Sequence, residues 1–172
     1  MKKLLCLLLC LALPFAALAE EIAPLSGEDF ILTVDGTAYA LGEDAEALVQ
    51  ALEALTGAPL IMTETVSCMF DGMDREFVTA DETLVIGTYP IGVSGGDVVE
   101  SVLVFTDALA TPRGAAVGMT REEIRALYGT DYVQDWDTMI YSLGVLEPQL
   151  MFILDLDTGV VIGWMLLRNT VV

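Results

Sequence analysis

The sequence contains no histidine, and its only lysines, Lys2 and Lys3, stand at the extreme N-terminus. Without imidazole there is no histidine-dependent serine or cysteine triad, no histidine-ligated zinc and no imidazole acid or base. Without lysine beyond position 3, Ser-Lys dyads, Schiff-base chemistry and a Walker-type phosphate loop are excluded as well. Cysteine is also scarce. Cys6 and Cys10 sit inside an N-terminal apolar run, which leaves Cys68 alone, too few for a thiolate metal site, a dithiol redox pair or an internal disulfide. Tryptophan is limited to Trp136 and Trp164, few platforms for stacking sugars. Carboxylate chemistry survives these exclusions, because a glycosidase needs only two suitably spaced acids, but 26 acids supply pairs everywhere and single out none. No catalytic, cofactor-binding or metal-ligating residue is assigned from the sequence.

The N-terminus reads as a secretory signal peptide over residues 1–19. Lys2 and Lys3 give a positive start, Leu4 to Leu13 an apolar stretch, and Ala17-Leu18-Ala19 a small-x-small cleavage site before Glu20. The run is short for a membrane span, no later stretch competes as one, and Cys10 is followed by leucine rather than set in a lipidation site. Export without stable membrane insertion is the expectation. All the acids lie beyond residue 19, so losing Lys2 and Lys3 with the leader takes the formal charge from −19 to −21. Such a surface repels nucleic acid and anionic lipid and keeps an exported chain soluble.

Residues 20–27, with Pro24, predict a flexible lead, and residues 28–172 a single α+β domain. Phe30–Val34 and Thr37–Leu41 flank Asp35-Gly36 as a hairpin, and Leu48, Val49, Leu52 and Leu55 recur at helical spacing within Glu43–Thr56 before Gly57. Strands are expected over Leu60–Ser67, Phe77–Thr79, Thr83–Thr88 and Val98–Thr106. Thr120 and Glu123 form a capping box for a second helix that carries Ile124, Leu127 and Tyr128 and ends at Gly129, with Met119 and Ile124 as hydrophobic staple. Strands over Thr138–Leu143, Leu150–Leu156 and Val160–Arg168 close the chain, the second apolar enough to predict heavy burial. Two short helices packed on an antiparallel sheet is the expected fold. Aligning Gly42 with Gly118 brings Leu48 onto Ile124, which points to tandem helix-then-strands halves, 28–109 and 110–172.

Asp155-Leu156-Asp157-Thr158-Gly159 begins like a calcium loop, but its fifth position is glycine and its twelfth, Leu166, lacks the carboxylate, so a hairpin turn is expected. Asp131, Asp135 and Asp137 read as a solvated acidic loop, and Ile91 to Gly96 as a turn without the following helix of a phosphate site.

Three passages carry a resemblance: Ser67-Cys68-Met69-Phe70-Asp71-Gly72-Met73-Asp74-Arg75-Glu76-Phe77, then Thr88-Tyr89-Pro90, then Thr111-Pro112-Arg113-Gly114 through Tyr128-Gly129. Together they resemble a group of uncharacterised exported proteins and lipoproteins of Gram-positive bacteria. The last passage is also similar to the helix entry of BamE-like outer-membrane assembly lipoproteins and of β-lactamase-inhibitor-protein-like folds. That resemblance implies an exported, non-enzymatic protein-interaction module whose protein partner lies in the envelope or extracellular space. A carboxylate-dependent extracytoplasmic hydrolase acting on glycans is the alternative. The candidate interaction loop is Ser67, Cys68, Met69, Phe70, Asp71, Gly72, Met73 and Asp74, which gathers a thiol, two methionines, an aromatic ring and a turn. The same residues also fit a strand-turn-strand corner whose apolar side chains plug the core, with Cys68 packed there or linking two molecules.

Overall fold

A computed structural model of the chain describes residues 22–90 and 96–169. The expected leader and most of the glycine-rich turn lie outside the described residues. Strands β1 (Ile31–Val34) and β2 (Thr37–Ala40) form the first hairpin. Asp35 and Gly36 both take positive φ, 47° and 79°, the geometry whose twist matches that of paired strands. Helix α1 (Ala45–Thr56) is capped by the Asp44 carboxylate, which accepts from Glu46 N at 2.9 Å, and stops at Gly57 in the left-handed region. The cap explains why the helix begins two residues later than the apolar spacing alone suggests.

Four strands follow α1: β3 (Ile61–Val66), β4 (Met73–Val78), β5 (Leu84–Pro90) and β6 (Asp97–Val104). Helix α2 (Arg121–Tyr128) precedes another four: β7 (Val133–Asp135), β8 (Thr138–Ser142), β9 (Gln149–Leu154) and β10 (Val161–Leu167). The eight join in one antiparallel sheet, ordered β3-β4-β5-β6-β10-β9-β8-β7, so two consecutive meanders meet at β6 and β10. The fold is α+β, as expected. Strand β4 starts four residues before the expected Phe77, and β7 has no counterpart in the expectation, because polar, charged stretches such as Asp74-Arg75-Glu76 carry no apolar alternation.

The entries to the two helices match in detail. Gly42 N donates to Val99 O and Val99 N to Glu43 O; correspondingly, Gly118 N donates to Val161 O and Val161 N to Met119 O. Both glycines sit at positive φ, 85° and 93°, which a Cβ would strain. The helix caps Asp44 and Thr120 bridge Val98 and Val160 respectively. The predicted capping box is present, with Thr120 N donating to Glu123 Oε2 at 2.7 Å and Glu123 N to Thr120 Oγ1 at 3.3 Å.

Both helices and the hairpin pack on one side of the sheet. Leu48 and Leu52 of α1, Ile124 and Tyr128 of α2 and Leu32 of β1 meet Ile86, Val102, Trp164, Phe152 and Tyr141, all buried. Each fully buried aliphatic side chain contributes roughly 1.5–3 kcal/mol relative to exposure. Rings of Tyr128, Tyr141 and Phe152 pack with centroids 5.4 to 6.0 Å apart, in tilted or edge arrangements that aromatic quadrupoles favour.

Arg113 fastens the N-terminal segment to this layer. Its Nε and Nη2 grip Asp29 at 2.6 and 2.7 Å, while its remaining N–H groups reach the carbonyls of Ala23, Pro24 and Leu127. Every donor of the guanidinium fork is thus used. The residues read from sequence as a flexible lead are held from Ala23 onward by these bonds.

Candidate functional site

The other side of the sheet carries no helix or hairpin among the described residues. Along β9 burial alternates strictly: Leu150, Phe152 and Leu154 are buried, whereas Met151 and Ile153 are half-buried. The apolar run predicts burial on both sides; the structure covers only one. Strand register shows what the open side presents. Ile61 pairs Val78, Val78 pairs Val85, Val85 pairs Leu103, Leu103 pairs Met165, Met165 pairs Met151, Met151 pairs Ile140 and Ile140 pairs Val133. One apolar residue from each of the eight strands therefore forms an unbroken row from edge to edge. At its ends Ile61 is 56% and Val133 65% exposed, and the six residues between them are half-buried.

The adjoining rows widen this band unevenly. On one side lie Gly163, Ile153, Thr138 and Asp135, in register, and the Phe105 ring lies across Gly163. A Cβ at Gly163 would fall 2.6 Å from that ring, so glycine is what lets it lie there. Ile61, Val78, Val85, Leu103 and Phe105 line a shallow depression of about 490 Å³, with Glu76 and Glu82 at its margin. On the other side run Thr63, Glu76, Gly87, Ser101, Leu167, Gln149 and Ser142.

A register shift between Gly87 and Thr88 leaves both Glu100 and Ser101 beside Gly87 on this face. A second, polar depression of about 330 Å³ opens there, where Asp74, Glu76, Glu100 and Ser101 line it together with Arg75 and its ion-pair partner Glu64. Glu100 accepts the Tyr89 hydroxyl, and burial together with this bond pushes the phenol well above its ordinary value. Asp74 Oδ1 is enclosed without a hydrogen-bond partner among the described residues.

The loop singled out from sequence closes the polar end of this face. Ser67 Oγ accepts from Met69 N and Phe70 N at 3.3 and 3.1 Å, which turns the chain. The Phe70 ring packs on Tyr89 at 5.1 Å, and Gly72, at φ 136°, lies against Pro90. Cys68 and Met69 are exposed, Asp71 and Gly72 lie on the surface, and Met73 and Asp74 belong to β4 rather than to the loop. Of the two readings of the loop, Phe70 follows the corner description, and Cys68 is on the surface rather than packed.

The acidic segments separate as the sequence suggests. Asp155 accepts from Asp157 N, Thr158 N and Thr158 Oγ1 at 3.1, 2.8 and 2.8 Å, closing the β9–β10 turn; the bond from the Thr158 hydroxyl comes first among those holding its carboxyl below the usual range. Asp131 and Asp135 are exposed, and Asp137 accepts from the Thr138 hydroxyl. Among the described residues no group of three or more acids and cysteines is placed to hold a metal ion, and no helix is long and apolar enough to cross a membrane.

The open face was not singled out from sequence. Its signal is there in β6, β9 and β10, where Val102-Leu103-Val104, Leu150 to Leu154 and Trp164 to Leu167 stay apolar at positions of both parities. Compared with protein families, curated proteins and solved structures, the chain matches none.

Proposed function

We propose that the chain is an exported, non-enzymatic protein-interaction module that docks its partner on the open face of the eight-stranded sheet. The observation that carries this reading is the edge-to-edge apolar row from Ile61 to Val133, uncovered among the described residues. The row is exposed at its two ends and half-buried between them, and a contiguous, solvent-reachable apolar band of this kind marks interaction sites in soluble proteins. The Ser67 to Asp74 loop forms the rim at the polar end, where exposed Met69 supplies an adaptable contact. The absence of histidine and of lysine beyond position 3 favours binding over catalysis in this reading.

The matched entries at Gly42 and Gly118, each leading through a capped helix into a four-stranded meander, support a tandem repeat of the halves 28–109 and 110–172. The similarity to β-lactamase-inhibitor-protein-like and BamE-like folds is part of the same proposal and rests on this helix entry.

The test is retention of envelope and culture-supernatant proteins on the immobilised chain, compared with the double variant Met151→Thr, Met165→Thr. Threonine suits a half-buried strand position facing solvent, so the sheet is kept while the apolar row is interrupted. A partner retained by the wild type and lost by the variant supports docking on the face. A partner retained equally by both removes the proposal.

A further inference from the structure

This inference rests on the docking reading and names the partner's chemistry: we infer that the face receives a basic amphipathic segment, apolar along one side with lysine or arginine at its margin. The face is chemically lopsided. Toward β7 it presents Ile140, Met151, Ile153, Met165 and Leu167, with Asp135 the one carboxylate in those rows, whereas toward β3 the apolar row is bordered by Glu76, with Asp74 and Glu100 beyond it. None of these three carboxylates has a cationic partner among the described residues. The ion pairs present there join Arg75 to Glu64 and Asp97, and Arg113 to Asp29.

Covering an unpaired carboxylate with an apolar partner strips its hydration without compensation, so a purely apolar ligand is penalised where Glu76, Asp74 and Glu100 lie. A margin of basic side chains converts that penalty into charge-assisted hydrogen bonds. A second copy of this chain does not meet the requirement. None of the described arginines belongs to the rows of the open face: Arg113 is committed to Asp29, Arg121 and Arg125 lie in α2, Arg168 follows β10 beside Gly42, and Arg75, which lines the polar depression, is committed to Glu64 and Asp97. Self-pairing would bury the carboxylates unmatched, between chains of formal charge −19 each.

The experiment uses the chain as recovered from a secreting host, its N-terminus mapped by mass spectrometry. Three labelled synthetic helical peptides are titrated by fluorescence anisotropy: one with leucines along one side and lysines at its margins, its lysine-to-glutamate counterpart, and a scramble of the first. The lysine peptide is expected to bind at least about tenfold more tightly than either control, a difference of about 1.4 kcal/mol. Met151→Thr with Met165→Thr should weaken it by about tenfold, and Asp74→Asn with Glu76→Gln should both weaken it and flatten its salt dependence, since exposed charges are screened within about 10 Å at 0.1 M salt. Circular dichroism of each variant checks that the fold is retained.

Equal binding of the glutamate peptide or the scramble overturns the inference, as does no binding of the lysine peptide. Sedimentation showing a dimer of the wild type that Met151→Thr with Met165→Thr dissolves would overturn it in favour of a second copy. If a natural partner is lost by the methionine variant while the lysine peptide fails, the docking reading stands and only its basic chemistry falls. If the natural partner ignores the methionine variant, the docking reading itself fails.

Discussion

Replacing Arg113 by alanine removes a five-bond polar fastening, the most extensive of any side chain among the described residues, and the structure fixes what is left behind. Asp29, 4% exposed, keeps only Ser26, whose N–H donates at 2.8 Å, and loses both bonds from the guanidinium. The carbonyls of Ala23, Pro24 and Leu127 lose their donor, and the cation 5.0 Å above the Tyr128 ring disappears. Breaking a buried pair from one side costs about 3–5 kcal/mol, and with Arg113 still partly exposed a loss of about 3 kcal/mol is expected. For a domain of this size that lowers Tm by about 10 °C in thermal unfolding followed by circular dichroism. Arg113→Lys should recover part of the charge term but not the fork geometry, and fall between the two. The pH dependence gives a second check. Burial raises the Asp29 carboxyl, but the bonds from Arg113 and Ser26 outweigh it and hold the group below its usual range. Its contribution is therefore present above an unfolded-state value of about 3.9 and is lost as pH falls through the lower folded-state value. Asp29→Asn should flatten that acid limb. A Tm within about 2 °C of wild type for Arg113→Ala, where about 10 °C is expected, would refute this account of how the N-terminal segment is held.

Three further outcomes are expected. Met151→Thr with Met165→Thr should change stability by about 0.5 kcal/mol per site or less, because both face the open side, whereas Phe152→Ala on the same strand should cost about 3–5 kcal/mol; denaturant titration compares them. Gly163→Ala drives a methyl group into the Phe105 ring and toward the Val104 carbonyl 3.2 Å away. It should cost about 1–3 kcal/mol and move the Phe105 ring resonances in NMR spectra, while unchanged ring resonances would contradict the packing described. Cys68→Ser should leave folding intact, with a stability change of about 0.5 kcal/mol or less, and any covalent dimer of the wild type on non-reducing gels should vanish in this variant.

Much of the fold is legible in local signals. Asp35-Gly36, the Thr120 and Glu123 capping box, the stop at Gly57 and the Asp157-Thr158-Gly159 turn are decided by a few adjacent residues, and the structure follows them. Where a segment is fixed by its neighbours instead, local signals fail. Strand β4 begins at Met73 by pairing with Val66 of β3, and β7 is held by its pairing with β8. The apolar row is harder still to read. Its eight members lie between residues 61 and 165, and only the strand register brings them into line. The candidate loop is legible as unusual, yet its place at the rim of the open face depends on Phe70 meeting Tyr89, nineteen residues further along the chain.

The reading of the open face as the docking surface is tested most directly by photo-crosslinking. A benzophenone side chain is introduced at position 165, in the middle of the row, and separately at position 46 on the exposed side of α1, and each protein is irradiated with envelope and supernatant fractions. Docking on the sheet predicts a discrete crosslinked partner from position 165 and none from position 46. Crosslinking from position 46 alone, with nothing captured at position 165, would contradict it.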